Sequence, residues 1–296
     1  MEFESIKDLR ETAENEKLTI AELTLREQAA QIECTEEEVY REMLQRLHVM
    51  QDAIRSGQVE GSRSISGITG GDGIRMSQYA GTEGLMGHFF NHALSNAISV
   101  AEYNATMGKI VASPTAGSCG ILPGTVIAMM EEKKLPEEAA VMGLFTAGAI
   151  GLVIAKNASL AGAEGGCQAE CGSAAAMAAA ALVEMAGGSP RMAANACAMA
   201  IKNQLGLVCD PVAGLVEVPC VKRNAGGVAI AFTAAEMALA GIESVIPVDE
   251  VIDAMQQVGD SLPCALRETG QGGLAATPTG VQIRKDVFGE SQKGTE

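Results

Sequence analysis

Tryptophan is absent from the 296 residues, and tyrosine and phenylalanine supply three and six, so aromatics make up 3% of the chain. Sheet sandwiches and barrels draw their cores from aromatic and β-branched residues, which argues against one here. Alanine, 34 glycines and 15 methionines suit helices packed at short backbone separation instead. The composition therefore reads as mainly α. Positive charge is also short: 21 Lys and Arg stand against 37 Asp and Glu, a net charge of −16. No Lys/Arg stripe is visible, and such a surface repels a phosphate backbone, so nucleic acid is excluded as a partner. The stretch MEFESIKDLRETAENE lacks the basic and apolar regions of a signal peptide and the Arg-rich face of a transit peptide, so a cytoplasmic protein is expected. A chain this long buries a large core without disulfide staples, and cytoplasmic thiols stay reduced. Its eight cysteines need another account.

Long uncharged apolar runs are scarce as well. AAVMGLFTAGAIGLVIA, residues 139–155, is at the short limit for a membrane span and is bracketed by Glu138 and Lys156. Its Ala and Gly content reads as a buried core helix, so no membrane partner is expected.

Residues 1–60 read as a charged, amphipathic helical arm, with Thr19 and Thr35 as N-caps and Gly57 at the end of the last helix. GSRSISGITGGDG, residues 61–73, breaks that pattern into a loop whose small polar groups suit a binding site. A helical stretch from about 80 to 108 leads through a strand-like KIVAS into a second small-residue loop, PTAGSCGILPG, residues 114–124. Apolar helices are expected at about 125–134, 137–156, 172–186, 190–204 and 226–240. Residues 61–285 form one catalytic-looking body, and 286–296 a polar tail.

Cys34 and Cys197 fall inside helical patterns, where a cysteine is usually a small hydrophobe. Cys167, Cys171, Cys209 and Cys220 sit at predicted turns or helix ends beside Gly, Pro or Asp, where backbone amides favour thiolates. Their spacings match neither structural zinc nor ferredoxin runs, so core filling and metal ligation both stay open. Three or four thiolates without a carboxylate or imidazole partner point to iron and sulfur or to zinc. With three ligands a four-iron cluster keeps one iron open, which can act as a Lewis acid. His88 and His92 stand four apart but lack the Glu of a metalloprotease helix and a third ligand, so they read as ordinary surface or core histidines. Lys156 or Lys222 with GITGGDG could serve pyridoxal phosphate, but neither arrangement is diagnostic.

Five ordered stretches, SRSISGITGGD, NATMGKIVASPTAGSCGILPG, GAEGGCQAECGSAAAMAAA, CDPVAGLVEVPCVKRNA and RETGQGGLA, span roughly residues 61–280. In them the chain resembles the iron-sulfur L-serine dehydratases, most closely the α subunit of the two-subunit bacterial form. The resemblance implies a helical catalytic domain holding a [4Fe-4S] cluster through Cys167, Cys209 and Cys220. Cys171 falls where single-chain members carry an apolar residue and is left out of that set. The implied reaction is deamination of L-serine to pyruvate and ammonia, with 2-aminoacrylate released by loss of water and the open iron taking the substrate hydroxyl. The loops SPTAGSCG and SGITGG would give hydroxyls and amides to the substrate carboxylate, Thr115, Gly117 and Ser118 first, then Ser64, Thr69 and Gly70.

Two departures matter. Single-chain members end in a cysteine that reaches the open iron, whereas this sequence ends in SQKGTE, so Cys264, Cys119 or neither is expected there. Those members also carry a preceding domain with a histidine-bearing motif, so a separate β subunit is expected to complete a heterodimer, and the acid-base residue is left unassigned. An L-cysteine desulfidase sharing the cluster domain is the rival enzyme. A non-enzymatic thiolate metal protein or metabolite sensor is the rival from outside catalysis, and the two Ser/Thr/Gly loops argue against it.

Overall fold

The computed structural model describes residues 3–82 and 84–289. Helices α1 (Ile6–Glu16), α2 (Ile20–Gln31) and α3 (Glu36–Gly57) begin where Ser5, Thr19 and Thr35 accept a bond from the first-turn backbone, and Thr19 and Thr35 complete capping boxes with Glu22 and Glu38. There follow α4 (Asp72–Ala80), α5 (Gly87–Ala105), α6 (Ile121–Glu132), α7 (Glu137–Asn157) and the single turn α8 (Gly162–Gly165). The chain continues through α9 (Ser173–Met185), α10 (Pro190–Lys202), α11 (Cys220–Leu239), α12 (Val248–Ser261) and α13 (Pro278–Phe288). Among the described residues there is no strand, and the mainly α reading stands. KIVAS runs as irregular coil, since among the described residues no strand is present to pair with it, and Ile110 and Val111 pack on the helical core instead. α11 starts at Cys220 rather than near 226, and α13 continues through Phe288 into the expected tail. Residues 290–296 lie outside the described residues.

The centre is α9, whose residues from Ser173 to Val183 are all buried, packed among α6, α7, α10 and α11. Its alanines let four neighbours approach at once. α7 is long and apolar enough to cross a membrane, yet here it packs on α2, α3 and α9 as a core helix does. Glycines set the other close crossings: a Cβ at Gly57 or Gly120 would drive into the α5 backbone at Ser99 or Ala97.

Buried and half-buried carboxylates dock helix ends. Glu184 accepts the Ile20 and Ala21 N–H groups at 2.9 and 3.0 Å and the Thr146 hydroxyl at 2.7 Å, seating α2 on the core. Glu102 does the same for Asp72 and Gly73 at the start of α4, and Asp249 for Ile6 and Lys7 at the start of α1. Burial raises the Glu184 pKa above the usual carboxyl value although its three donors pull it down. A carboxyl raised in the folded state adds stability that is full below its unfolded pKa and drains as pH climbs through the raised value. The parent should therefore lose stability relative to Glu184→Gln as pH rises from roughly 4 to 7, read from urea midpoints across that range. A widening advantage of the parent would contradict it.

Candidate functional site

The candidate site gathers around the start of α11. Cys220 is its first residue, and the preceding 209–220 segment is held by its neighbours on both sides. The Cys209 N–H donates to Leu266 O at 2.9 Å and its carbonyl accepts from Glu268 N at 2.7 Å, so RETGQGG lies alongside CDPVAG. Gly162 comes so near that a Cβ there would stand 2.9 Å from the Cys209 sulfur. Cys167 opens a π-helical turn (Gln168–Gly172) that runs straight into α9. Gln168 fixes that turn, donating to Met255 O and accepting from Gly206 N, each at 2.8 Å. Such π turns recur at functional sites.

Arg223 ties these pieces together. Its guanidinium donates to Val208 O at 2.7 Å and Asp210 Oδ1 at 2.8 Å, and its positive charge acts on the Cys167 sulfur. Asp210 is buried, and its other oxygen accepts from Leu274 N at 2.7 Å. The sulfurs of Cys167 and Cys171 are 3.3 Å apart. The Cys171 S–H and Arg223 lower the Cys167 pKa against the burial that opposes them, whereas Cys171 is raised by that same contact and by its own burial. Burial first, then the Cys167 charge, pushes Cys209 up and Cys220 up to about 12. The charge of Cys167 therefore acts on both thiols at the ends of the 209–220 segment.

The two small-residue loops meet this cluster from different directions. In the second, Thr115 donates to Glu170 Oε1, Ser118 shares a hydrogen bond with Thr115 at 3.2 Å, and Gly117 N–H also reaches Glu170. A Cβ on Gly117 would lie 2.5 Å from Glu170 Oε1, so any larger residue there would push the Glu170 carboxylate aside. Asn224 on α11 fastens the same loop: it donates to Gly117 O at 2.7 Å and Cys220 O at 3.0 Å and accepts from Gly120 N at 2.8 Å. In the first loop the Ser64 hydroxyl accepts from Thr69 N at 3.2 Å and bonds Ser66 at 3.1 Å, and Ser66 donates to Glu217 Oε1 at 2.7 Å. Ser64 and Thr69 thus connect to the 209–220 segment through Glu217, while Gly70 packs against Ser62 and Arg63 at the loop base. The hydroxyls of Thr69 and Ser113 are buried without a partner.

Other sequence candidates stand in varied settings. Cys197 is buried in α10, as a small hydrophobe should be, but Cys34 is exposed in the turn after α2, a correction to its expected helical burial. Cys264 is exposed, and Cys119 is fully buried with its thiol pushed up to about 12 by burial. His88 and His92 each face one carboxylate, Glu132 and Glu131. Lys156 and Lys222 sit in ion pairs with Glu4 and Asp72. Sequence reasoning missed Glu170, Arg223 and Asn224, although their offsets of three and four residues from Cys167 and Cys220 are helical spacings that carried the signal.

Among the described residues no three His, Cys, Asp or Glu side chains close on a single metal-ion position. An all-thiol donor set held on separate segments, with Arg223 to neutralise charge, fits a larger iron-sulfur group.

The sequence is similar to that of known proteins. Residues 15–275 match the family described as serine dehydratase alpha chain. The probable L-serine dehydratase, alpha chain, of Bacillus subtilis (strain 168) is 52% identical over 288 residues, covering 97% of this chain and 96% of that one. The L-serine dehydratase, alpha chain, of Peptoniphilus asaccharolyticus is 47% identical over 274 residues, 92% and 94% of the two chains. L-serine dehydratase TdcG of Escherichia coli (strain K12) is 44% identical over 182 residues, 60% of this chain but 40% of that protein.

Proposed function

The chain belongs to the serine dehydratase alpha-chain family, and from that membership we propose that it is the cluster-bearing subunit of an L-serine dehydratase, converting L-serine to pyruvate and ammonia. The observation that carries the reading is the hydrogen bonding that joins the segments of Cys167, Cys209 and Cys220, with the Gln168 N–H on Leu207 O and the Arg223 side chain of α11 on Val208 O, flanked by two loops rich in hydroxyls and amides. In this reading those three thiolates hold a [4Fe-4S] cluster. When bound, that group supplies an open iron as Lewis acid for the departing hydroxyl.

The chain's own side chains do the remaining work. Arg223 and the Cys171 S–H stabilise charge on the Cys167 sulfur from the protein side. Glu170 holds the Thr115 hydroxyl, and with it Ser118, against the cysteine turn. Thr69 keeps an unpartnered buried hydroxyl for the substrate carboxylate. After α-proton removal and loss of water, 2-aminoacrylate tautomerises and hydrolyses without further help. A separate β subunit completes the site in this reading, supported by relatives named as alpha chains and by an L-serine dehydratase matched over only 40% of its length, and the acid-base group stays unassigned between the two chains. The same reading sets the protein in the cytoplasm, where thiols stay reduced.

The test is direct. Anaerobically prepared protein with its partner chain should form pyruvate and ammonia from L-serine faster than sulfide from L-cysteine. Faster sulfide release would make it a desulfidase, and zinc in place of iron without turnover would overturn both.

A further inference from the structure

Glu217 is a buried carboxylate inside the 209–220 segment, and only half of it is accounted for by the fold. Its side chain belongs to a residue 6% exposed; Oε1 accepts from Ser66 at 2.7 Å, and Oε2 is buried without a hydrogen-bond partner. Among the described residues it is the one carboxylate oxygen in that condition. A buried, unpaired carboxylate oxygen is expensive, and a fold that keeps one points to a cationic donor that arrives later. Ser66 continues from Glu217 to Ser64 and on to Thr69, whose own hydroxyl is likewise buried and unpartnered. One hydrogen-bonded chain therefore ends in an unmet acceptor on one side and an unmet hydroxyl on the other.

An amino acid offers complementary groups: a carboxylate for hydroxyls and amides, and an α-ammonium with three donors that only an anion neutralises. Glu170 is spent on Thr115 and Gly117, and Glu268 is exposed, where water serves it. We propose that Glu217 Oε2 receives the α-ammonium group of the substrate, with Thr69 on its carboxylate, so that Glu217 sets the preference for an amino acid over a hydroxy acid. This rests on the dehydratase reading for the identity of the substrate.

The experiment compares L-serine with 3-hydroxypropionate, the same skeleton without the ammonium group, on the anaerobic holoenzyme. KM and the inhibition constant are measured alongside calorimetric binding of both compounds and iron content. Glu217→Gln should raise the KM and the dissociation constant of L-serine roughly 10- to 100-fold, the worth of a charged hydrogen bond. Binding of 3-hydroxypropionate and iron content should stay at the parent level, and Glu217→Asp, which keeps the charge, should restore part of the discrimination. Equal losses for both ligands, an unchanged preference, or the same selective loss in Glu268→Gln would overturn the assignment. Calorimetry decides Glu217 whether or not turnover is seen, whereas a parent enzyme that binds L-serine and never converts it overturns the dehydratase reading alone.

Discussion

Cys209→Ser and Cys220→Ser proteins, purified without oxygen, should carry at least roughly tenfold less iron and sulfide than the parent and form no measurable pyruvate, since a lost ligand weakens a site at least as much as a lost supporting contact. Both thiols sit in buried positions that disfavour a bare thiolate, and each also feels the Cys167 charge. A bound cationic group removes those penalties, so nothing short of a thiolate at each position substitutes for it. Cys171→Ser is the contrast. A serine hydroxyl can still donate to the Cys167 sulfur across the present 3.3 Å contact, so iron content should stay near that of the parent. If Cys171→Ser loses iron as completely as Cys209→Ser, four cysteines close the site and no iron is left open for the substrate. Retention of iron in Cys209→Ser would sink the ligand set outright. Iron and acid-labile sulfide assays with visible absorbance report each outcome without requiring turnover.

The parts of the fold that sequence disclosed are those governed by neighbours in the chain. Thr19 and Thr35 announced the starts of α2 and α3 because a cap needs only its own first turn. The alanine run of α9 announced burial because no polar face interrupts it. Errors arose where distant contacts decide. KIVAS has the β-branched residues of a strand but no partner, and the helix expected from about 226 begins six residues earlier at Cys220, where Gly227 lets Ile121 pack against α11. The cysteines were visible by type, and the family resemblance grouped Cys209 and Cys220 with Cys167. Arg223 and Asn224 were legible in principle as the next helical turn after Cys220. Glu217 and Asp210 were not, because what marks them is burial produced by Ser66 from one direction and by Leu274 from another.

Gly120→Ala is expected to damage stability and substrate binding together. The glycine lies where α6 crosses α5, and a Cβ there would drive into the Ala97 carbonyl, a backbone atom that cannot rotate away. Overpacking of this kind costs about 1–3 kcal/mol. The shift also disturbs the Gly120 N–H bond to Asn224 at 2.8 Å, and Asn224 is the group that fastens Gly117 and Cys220 to each other. The urea midpoint should therefore fall and the KM for L-serine should rise in the same variant. Gly148→Ala on α7 is the matched control, since its Cβ would meet nothing within 4 Å. Removing glycine's excess freedom from that helix interior should raise stability by up to about 1 kcal/mol and leave KM alone. Equal midpoints for the two variants would mean that α6 yields without cost. A lowered midpoint with an unchanged KM would mean that the SPTAGSCG loop holds its place independently of the helix it precedes. Loss of both shows that one close crossing of helices sets the position of the loop against the cysteines.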